Sequence, residues 1–379
     1  MWPRTVAPFP VQFLIAERDE EIAPLSGFVD YRLEMPVLTS DERGELWARF
    51  VPASRTWPQE KVRGFIEQHR LTIGQIAAIN EREVKDIDQA AEVARESGRH
   101  RLGRLAQLTE CPFSWDDLVV TDRLKEGLAD LLFEAKARVR FWERPESQRL
   151  YPHGRGLLAL FSGQPGTGKT MAAQVIAADL GLDLFRIDLS TVVSKYVGET
   201  SQNLEQILSR ATHMDVVLLF DEADALFGKR TEIKDAHDRF ANTDTGYLLQ
   251  AIESYQGLAL LTTNKKGNID PGFIRRIRYV FEFPKPDASQ RLLIWELVVG
   301  ELAGGATLQA IREDLRRLSN SVETTGAQIK FAVLAAIFAA QHEGSQLTVR
   351  HLLRGLDHEF AKEGRALSDR ERERLQGHG

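Results

Sequence analysis

The sequence predicts an α/β protein in which helices cover both faces of a parallel β-sheet, followed by an all-helical domain. Between residues 157 and 283, short apolar segments alternate with helical patterns, as in strands joined by helical crossovers. These strand segments are apolar throughout, which is typical of strands buried on both faces. From residue 288 to residue 361 the pattern is helical, with no strand signal.

The composition is that of a soluble globular protein. Of the 379 residues, 43% are hydrophobic and 27% are charged, which allows a sizeable core and excludes a wholly disordered chain. No segment approaches about 18 consecutive apolar residues, so no membrane-spanning helix is predicted. Cys111 is the only cysteine, which suits a reducing compartment, and we expect a cytoplasmic protein. The net charge of −6 argues against a protein that coats nucleic acid.

Changes in pattern divide the chain into four regions. Residues 1–109 begin with proline-rich apolar runs and continue as helices, and residues 110–286 contain the alternating strands. Residues 287–362 are the helical domain, and residues 363–379 are a charged, flexible tail. An amphipathic helix is predicted from Trp115 to Arg140 and a second helix from Met171 to Leu180. The predicted strands are Leu157–Phe161, Leu184–Ile187, Val216–Phe220, Leu258–Thr262 and Val280–Phe283.

A glycine-rich loop follows the first strand and precedes a helix. It matches the phosphate-loop pattern G-x-x-x-x-G-K-[ST] with Gly163, Gln164, Pro165, Gly166, Thr167, Gly168, Lys169 and Thr170. The glycines let backbone N–H groups point at a β-phosphate, and the helix N-terminus adds partial positive charge. Lys169 is expected to reach the β- and γ-phosphates, and the Thr170 hydroxyl to ligate Mg²⁺. Met171, at the start of the helix, completes this predicted nucleotide-binding segment.

Two adjacent carboxylates end the apolar strand Val216–Phe220. Asp221 is expected to hold the magnesium ion, and Glu222 to polarise the water that attacks the γ-phosphate. Two acids at a strand end are often only a helix cap, but the phosphate loop points to the same site. Glu222 also favours a hydrolase over a nucleotide kinase, which needs no such base. The predicted cofactors are therefore ATP and Mg²⁺.

Together these motifs resemble the AAA+ ATPases, specifically the classical AAA clade, over about residues 113–362. The resemblance implies a P-loop NTPase fold with a helical lid. Leu261–Asn264 resembles the family's sensor 1, on a strand that lies between the two strands carrying the Walker motifs. Asn264 is then expected to help orient the attacking water. Trp115–Leu118, which includes Asp117, resembles the segment whose backbone lines the adenine pocket.

Four further site residues follow from the same resemblance. Asp270–Arg276 resembles the family's second region of homology, in which Arg275 and Arg276 match arginine fingers that reach a neighbouring subunit's γ-phosphate. Two surface arginines at a helix end are the alternative. Gly326 and Ala327 stand where other clades carry a sensor 2 arginine, and the classical clade also has Gly-Ala at this position.

The segment between the second strand and the next helix resembles pore loop 1 of AAA motors. The aromatic–hydrophobic–glycine pattern, whose ring can wedge against an extended polypeptide, is carried by Lys195, Tyr196, Val197 and Gly198. A tyrosine packed in the core is the alternative. Residues 194–249, most distinctively Phe227–Asn242, are also similar to AAA ATPases encoded beside phage-tail-like contractile injection systems. The resemblance implies a homo-oligomeric ring, a hexamer, that threads a protein substrate.

Residues 11–47 align with residues 258–295 with a one-residue gap, which suggests a degenerate repeat. Four aligned positions carry the same residue in both segments: Glu34 and Glu282, Pro36 and Pro284, Arg43 and Arg291, and Trp47 and Trp295. We therefore interpret residues 1–109 as the last strands and lid of an AAA-like module without a phosphate loop. Because the first half of such a module is absent from this sequence, the start codon of the gene could lie further upstream. Glu17 replaces the sensor asparagine, so this module is not expected to hydrolyse ATP. An unrelated substrate-binding domain is the alternative.

The leading functional hypothesis is an ATP-hydrolysing AAA+ protein remodeller or unfoldase that works as a ring with active sites at subunit boundaries. One alternative is a nucleic-acid-linked AAA+ motor, which the acidic charge balance disfavours. Another is a scaffold that binds ATP only to assemble, which the complete set of catalytic positions disfavours. The predicted partners are other copies of the chain and a threaded protein substrate, with no membrane.

Overall fold

The computed structural model describes residues 38–69, 71–99, 102, 106–151, 155–189, 199–212, 214–224 and 250–367. Its described residues from Ser40 on belong to one compact unit. The predicted pore loop, the block Phe227–Asn242 and the aligned residues 11–37 lie outside the described residues.

Four helices begin the described part of the chain: α1 (Ser40–Phe50), α2 (Gln59–Gln68), α3 (Ile73–Glu81) and α4 (Ile87–Arg99). Pro52 and Pro58 interrupt the helical path between α1 and α2, because proline lacks the N–H that continues a helix. Thr72 begins α3 through a capping box with Gln75. The four helices share an apolar core that contains Trp47.

The α/β part is built on a sheet that, in the described residues, has six strands in the order β1-β3-β4-β5-β2-β6. Its strands are β1 (Gln107–Thr109), β2 (Leu157–Gly163), β3 (Asp183–Asp188), β4 (Val216–Asp221), β5 (Leu258–Thr263) and β6 (Tyr279–Phe283). Strands β2 to β6 pair in parallel, which confirms the predicted fold class and the five predicted strands. As the family resemblance implied, β5 lies between β4 and β2.

Strand β1 corrects the sequence prediction, in which residues 1–109 continue as helices after their proline-rich start. Gln107–Thr109 instead pairs antiparallel with β3 at the edge of the sheet. Its three residues bury no apolar side chain fully, since Leu108 is 47% exposed. A strand held by backbone hydrogen bonds alone carries no hydrophobic periodicity, and so leaves no pattern in the sequence to detect.

Helices cover both faces of this sheet, because successive side chains of each strand point to opposite sides. One face packs against α5 (Asp122–Trp142) and α7 (Lys169–Leu180), and strand residues such as Ala159, Phe161 and Leu219 point toward them. The other face packs against α8 (Glu199–Thr212) and the segment around α9 (Pro271–Ile274). The short helix α6 (Pro145–Leu150) follows α5.

The C-terminal helical part consists of α10 (Ala288–Ala303), α11 (Gly305–Ser321), α12 (Gly326–His342) and α13 (Val349–Ala361). These helices share a core that contains Trp295 and also Leu367, which is only 4% exposed. The packing of this part therefore continues beyond residue 362, where the sequence prediction placed the start of a flexible tail. Leu367 is an isolated apolar residue in a charged segment, so periodicity did not reveal it.

Arg43 and Arg291, which the sequence alignment pairs, occupy equivalent places in the two helical parts. Both are buried on the first helix of their part. The Arg43 Nε donates to the Ile66 carbonyl near the end of α2 at 3.3 Å. The Arg291 Nε donates to the Ser319 carbonyl near the end of α11 at 2.9 Å. In each part, the third helix begins with a threonine that forms a capping box, Thr72 in the first part and Thr325 in the second. The number of residues from the accepting carbonyl to this threonine is the same in both parts.

Candidate functional site

The phosphate loop connects the end of β2 to the start of α7 at the carboxyl edge of the parallel sheet. Its turn depends on glycines with positive φ, since Gly166 has φ +76° and Gly168 has φ +99°. A Cβ atom at position 166 would lie 2.7 Å from the Ala327 Cβ. Glycine at this position therefore allows both the turn of the loop and the close approach of α12.

Lys169 is buried at the N-terminus of α7 and is held inside the loop. Its Nζ donates to the Gly163 carbonyl at 2.8 Å, to the Gln164 carbonyl at 2.9 Å and to the Asn264 Oδ1 at 2.9 Å. Burial lowers the pKa of Lys169, while the negative charges of Asp221 and Asp224 act to raise it. The structure thus brings together the predicted phosphate-binding lysine and the predicted sensor asparagine, which are far apart in sequence.

The two acidic residues at the end of β4 differ in their surroundings. Asp221 is partly buried, and its Oδ1 accepts hydrogen bonds from the Thr262 hydroxyl and, at 3.2 Å, from the Glu222 N–H. Its Oδ2 lies 2.6 Å from the Arg186 Nη2. Glu222 is exposed and has φ +57°, a left-handed conformation that is strained for a residue with a side chain.

A cavity of about 300 Å³ lies between the phosphate loop, the segment before α5 and the C-terminal helices. Of the predicted nucleotide-binding residues, the cavity is lined by Asp117, Gly166, Thr167, Gly168, Lys169, Thr170, Met171, Gly326 and Ala327. The lining residues do not include Gly163, Gln164 or Pro165. The Asp117 carboxylate accepts hydrogen bonds from the backbone and hydroxyl of Ser114, so its side chain serves to shape the turn.

Apolar side chains that the sequence prediction missed form much of the cavity wall. They include Val119 and Val120, next to the predicted segment that ends at Leu118, and Ile294 and Val298 of α10 on the other side. In the sequence these residues have the same apolar spacing as core residues, and only packing shows that they face a cavity. Such a slot, apolar with a few polar groups at one end, is typical of a site for a small organic ligand.

Helix α12 contacts the phosphate loop directly. The Ala327 N–H donates to the Gly166 carbonyl at 3.3 Å, and Thr325 begins the helix through a capping box with Gln328. Gly326 and Ala327, which the resemblance assigns to the sensor 2 position, therefore lie beside the phosphate loop. Movement of the C-terminal helices would change the shape of the cavity.

Thr170 and Asp221 are the residues predicted to hold Mg²⁺. They provide a hydroxyl beside the phosphate loop and a carboxylate at the end of β4, and hard oxygen donors of this kind suit Mg²⁺ completed by phosphate oxygens and water. No cluster of three or more potential metal-ligating side chains occurs in the described ranges. The hydroxyl and the carboxylate fit a magnesium ion whose other ligands would be phosphate oxygens and water.

Arg275 and Arg276 follow α9 and are both exposed. Arg276 forms an ion pair with Glu253 at 3.0 Å. The Arg275 backbone N–H donates to the Pro271 carbonyl at 3.3 Å, but its side chain has no hydrogen bond or ion pair with any residue that the structure describes. Neither arginine lines the cavity of its own chain.

The predicted pore-loop residues Lys195, Tyr196, Val197 and Gly198 lie outside the described residues. Among the helices that the structure describes, none is both long and apolar enough to span a membrane.

Comparison with known sequences identifies the region that carries this site. Residues 159–285 match the sequence model of the ATPase family associated with various cellular activities (AAA). The match contains the phosphate loop, the acidic pair, Asn264 and both arginines, and it ends before α10. This region of the chain is therefore similar in sequence to the AAA ATPases, and the residues of the site fall within the similar region.

Three relatives illustrate the range of similar proteins. The "Uncharacterized AAA family ATPase y4kL" of Sinorhizobium fredii is 37% identical over 134 residues, covering 34% of this chain and 39% of that protein. The "ATP-dependent zinc metalloprotease FtsH 3" of Sphaerobacter thermophilus is 26% identical over 327 residues, covering 83% of this chain and 63% of that protein. The "26S proteasome subunit RPT4" of Saccharomyces cerevisiae is 30% identical over 145 residues, covering 36% and 33%. The chain thus spans less than two thirds of the length of each of these relatives.

Proposed function

We propose that this AAA domain hydrolyses ATP with Mg²⁺ in order to remodel a protein substrate. The observation that carries the proposal is the hydrogen bond of 2.9 Å between the Lys169 Nζ and the Asn264 Oδ1. It supports the proposal because it brings a cation of the phosphate loop and a polar amide together, as binding of a γ-phosphate there would require. The apolar slot between Leu118 and Ile294 offers room for the base.

Each site residue then has a role that follows from its position. Lys169 leaves its carbonyl partners to bind the β- and γ-phosphates, because a phosphate carries more negative charge than a carbonyl oxygen. Glu222 accepts a proton from the attacking water, which Asn264 helps to orient. Thr170 and Asp221 hold the magnesium ion, which when bound neutralises charge on the phosphates.

The exposed arginines support a shared active site in a homo-oligomeric ring. The Arg275 guanidinium has no partner among the described residues and does not line its own cavity, so it is available to another copy of the chain. A guanidinium that reaches the γ-phosphate would stabilise the charge of the transition state. A hexamer is the ring size that the family resemblance implies.

The substrate part of the proposal rests on the sequence resemblance. We assign Tyr196 to a pore loop that grips a threaded polypeptide and moves with the nucleotide state. The similarity of residues 194–249 to AAA ATPases encoded beside contractile injection systems suggests that setting, in the cytoplasm. The net charge of −6 favours a protein substrate over nucleic acid.

We also propose that residues 40–99 are a second, inactive lid related to residues 288–361. The equivalent bonds of Arg43 and Arg291, and the equivalent capping boxes at Thr72 and Thr325, support this relation. The alignment gives this module no phosphate loop, so it would not bind ATP productively. Its position on the AAA domain is held by contacts such as the Arg43–Glu143 ion pair of 3.3 Å.

ATP hydrolysis measured against protein concentration tests the function. In wild type, turnover per subunit should rise with concentration, and Arg275→Ala should abolish that rise. Glu222→Gln should bind nucleotide with unchanged affinity but lose turnover, because an amide cannot accept the proton of the water. Arg82→Ala, which removes an exposed ion pair with Glu96, is a control expected to behave as wild type. Normal turnover in Glu222→Gln would remove that residue from its role, and concentration-independent turnover would argue against the ring.

A further inference from the structure

Arg186 makes an ion pair with Asp221, a contact that neither the motifs nor the family resemblance anticipated. Arg186 lies on β3 and Asp221 on the adjacent parallel strand β4, and the Arg186 Nη2 is 2.6 Å from the Asp221 Oδ2. The Arg186 side chain is 46% exposed, whereas that of Asp221 is 19% exposed. The guanidinium therefore approaches from the solvent side and covers one oxygen of the carboxylate.

We propose that Arg186 is an internal competitor of Mg²⁺ for Asp221. It neutralises the carboxylate while the site is empty, and it moves away when magnesium and nucleotide enter. This inference rests on the proposed function, in which Asp221 holds the metal ion. It adds Arg186 as a residue that sets the Mg²⁺ concentration at which the site is half saturated.

Electrostatic repulsion explains why the Arg186 guanidinium and Mg²⁺ cannot both bind the Asp221 carboxylate equally well. A guanidinium on one oxygen and a magnesium ion held by the same group would repel each other at short range. Arg186 can leave easily, since its exposed head regains hydration and exposed ion pairs contribute little stability. The residues that would hold Mg²⁺ have less freedom, because Thr170 lies at the start of α7 and Asp221 at the end of β4.

The orientation of Asp221 does not depend on Arg186. Its other oxygen accepts hydrogen bonds from the Thr262 hydroxyl and from the Glu222 N–H, and both donors remain when the guanidinium leaves. Thr262 is 1% exposed on the central strand β5, so it is a rigid support. Removing Arg186 should therefore free an oxygen of Asp221 without disordering the carboxylate.

The same principle is visible at Lys169, which the structure also holds by internal bonds. Its Nζ is occupied by two carbonyls and by the Asn264 amide. In the described residues, the cation for the phosphates and the carboxylate for the metal are thus both satisfied within the protein. Nucleotide and Mg²⁺ must exchange with these internal partners in order to bind.

The test is a Mg²⁺ titration of the full chain saturated with a fluorescent ADP analogue, read as nucleotide fluorescence rather than as turnover. Arg186→Ala should lower the half-saturating Mg²⁺ concentration by roughly two- to fivefold, the range expected for loss of an exposed ion pair. Arg186→Lys should give a smaller decrease, because its charge can still approach the carboxylate. An unchanged or higher Mg²⁺ midpoint in Arg186→Ala would overturn the proposal.

Two further variants separate competition from a structural effect. Arg312→Ala is a matched control, since Arg312 pairs with Glu296 at 2.6 Å with exposures of 59% and 19%, but lies in the C-terminal helices. It should leave the Mg²⁺ midpoint unchanged. In an Asp221→Asn background, Arg186→Ala should have no further effect, and a persistent decrease would overturn the proposal. If wild type binds Mg²⁺ and nucleotide but does not hydrolyse ATP, the proposed function fails while this test still decides the role of Arg186.

Discussion

Replacing Gly166 by alanine should weaken nucleotide binding, because this residue forms both the turn of the phosphate loop and its contact with α12. The φ angle of +76° costs an alanine about 1–2 kcal/mol. The new Cβ would lie 2.7 Å from the Ala327 Cβ, whereas ordinary contacts begin near 3.4 Å, so α12 must retreat by about 0.7 Å. The hydrogen bond from the Ala327 N–H to the Gly166 carbonyl, already 3.3 Å long, would then break. We expect a loss of about 1.4 kcal/mol in binding, or roughly tenfold in affinity.

Titration with a fluorescent ADP analogue measures this effect, with thermal unfolding measured in parallel. Gly344→Ala is the matched control for backbone strain, since Gly344 has φ +62° but no atom within 4 Å of its added Cβ, and it does not line the cavity. It should lower stability by about 1–2 kcal/mol without changing nucleotide affinity. Wild-type affinity in Gly166→Ala would refute the coupling between the loop and α12. Equal losses of affinity in both variants would show that the effect is not local.

Two other predictions concern the helical parts. Arg291→Met should lower the free energy of unfolding by about 2–5 kcal/mol, because the buried carbonyls of Pro286 and Ser319 lose their donor. Arg43→Met should lower it by at least about 1–3 kcal/mol, because the buried Ile66 carbonyl loses its donor and Glu143 loses its ion pair. Urea unfolding measures both, and a negligible loss in either variant would contradict the role assigned to that arginine. Burial lowers the pKa of His69, so the folded protein resists protonation there and stability should fall as the pH drops below about 6.5, the unfolded value. His69→Gln should make the melting temperature less dependent on pH between pH 5 and 7. An unchanged slope of melting temperature against pH would exclude His69 as the source of this dependence.

Much of the nucleotide site could be predicted because its residues are close together in sequence or follow a fixed pattern. The phosphate loop needs glycines at set positions before Lys169, and this requirement is local. Asp221 was predictable from its place at the end of an apolar strand. Asn264 required the family resemblance, since nothing in its own segment indicates that it meets Lys169.

Other parts of the site leave no local signal. Arg186 lies in a strand whose pattern only predicts burial of its neighbours, and its pairing with Asp221 depends on how β3 and β4 lie side by side. Ile294 and Val298 have the spacing of any amphipathic helix, and only packing shows that they line the cavity at the edge of the C-terminal core. The edge strand Gln107–Thr109 is held by backbone bonds, which do not depend on side-chain type.

The sequence by itself determined the succession of strands and helices along the chain, the phosphate loop and the acidic pair, because periodicity and turn chemistry act over a few residues. Tertiary structure alone decided which of these residues meet. Parallel pairing of β4, β5 and β2 places Asp221 and Asn264 beside the phosphate loop, and the packing of α12 on Gly166 closes the cavity. The competition that we propose between Arg186 and Mg²⁺ likewise arises from contact across strands, where electrostatic interactions depend on distance in space rather than on distance along the chain.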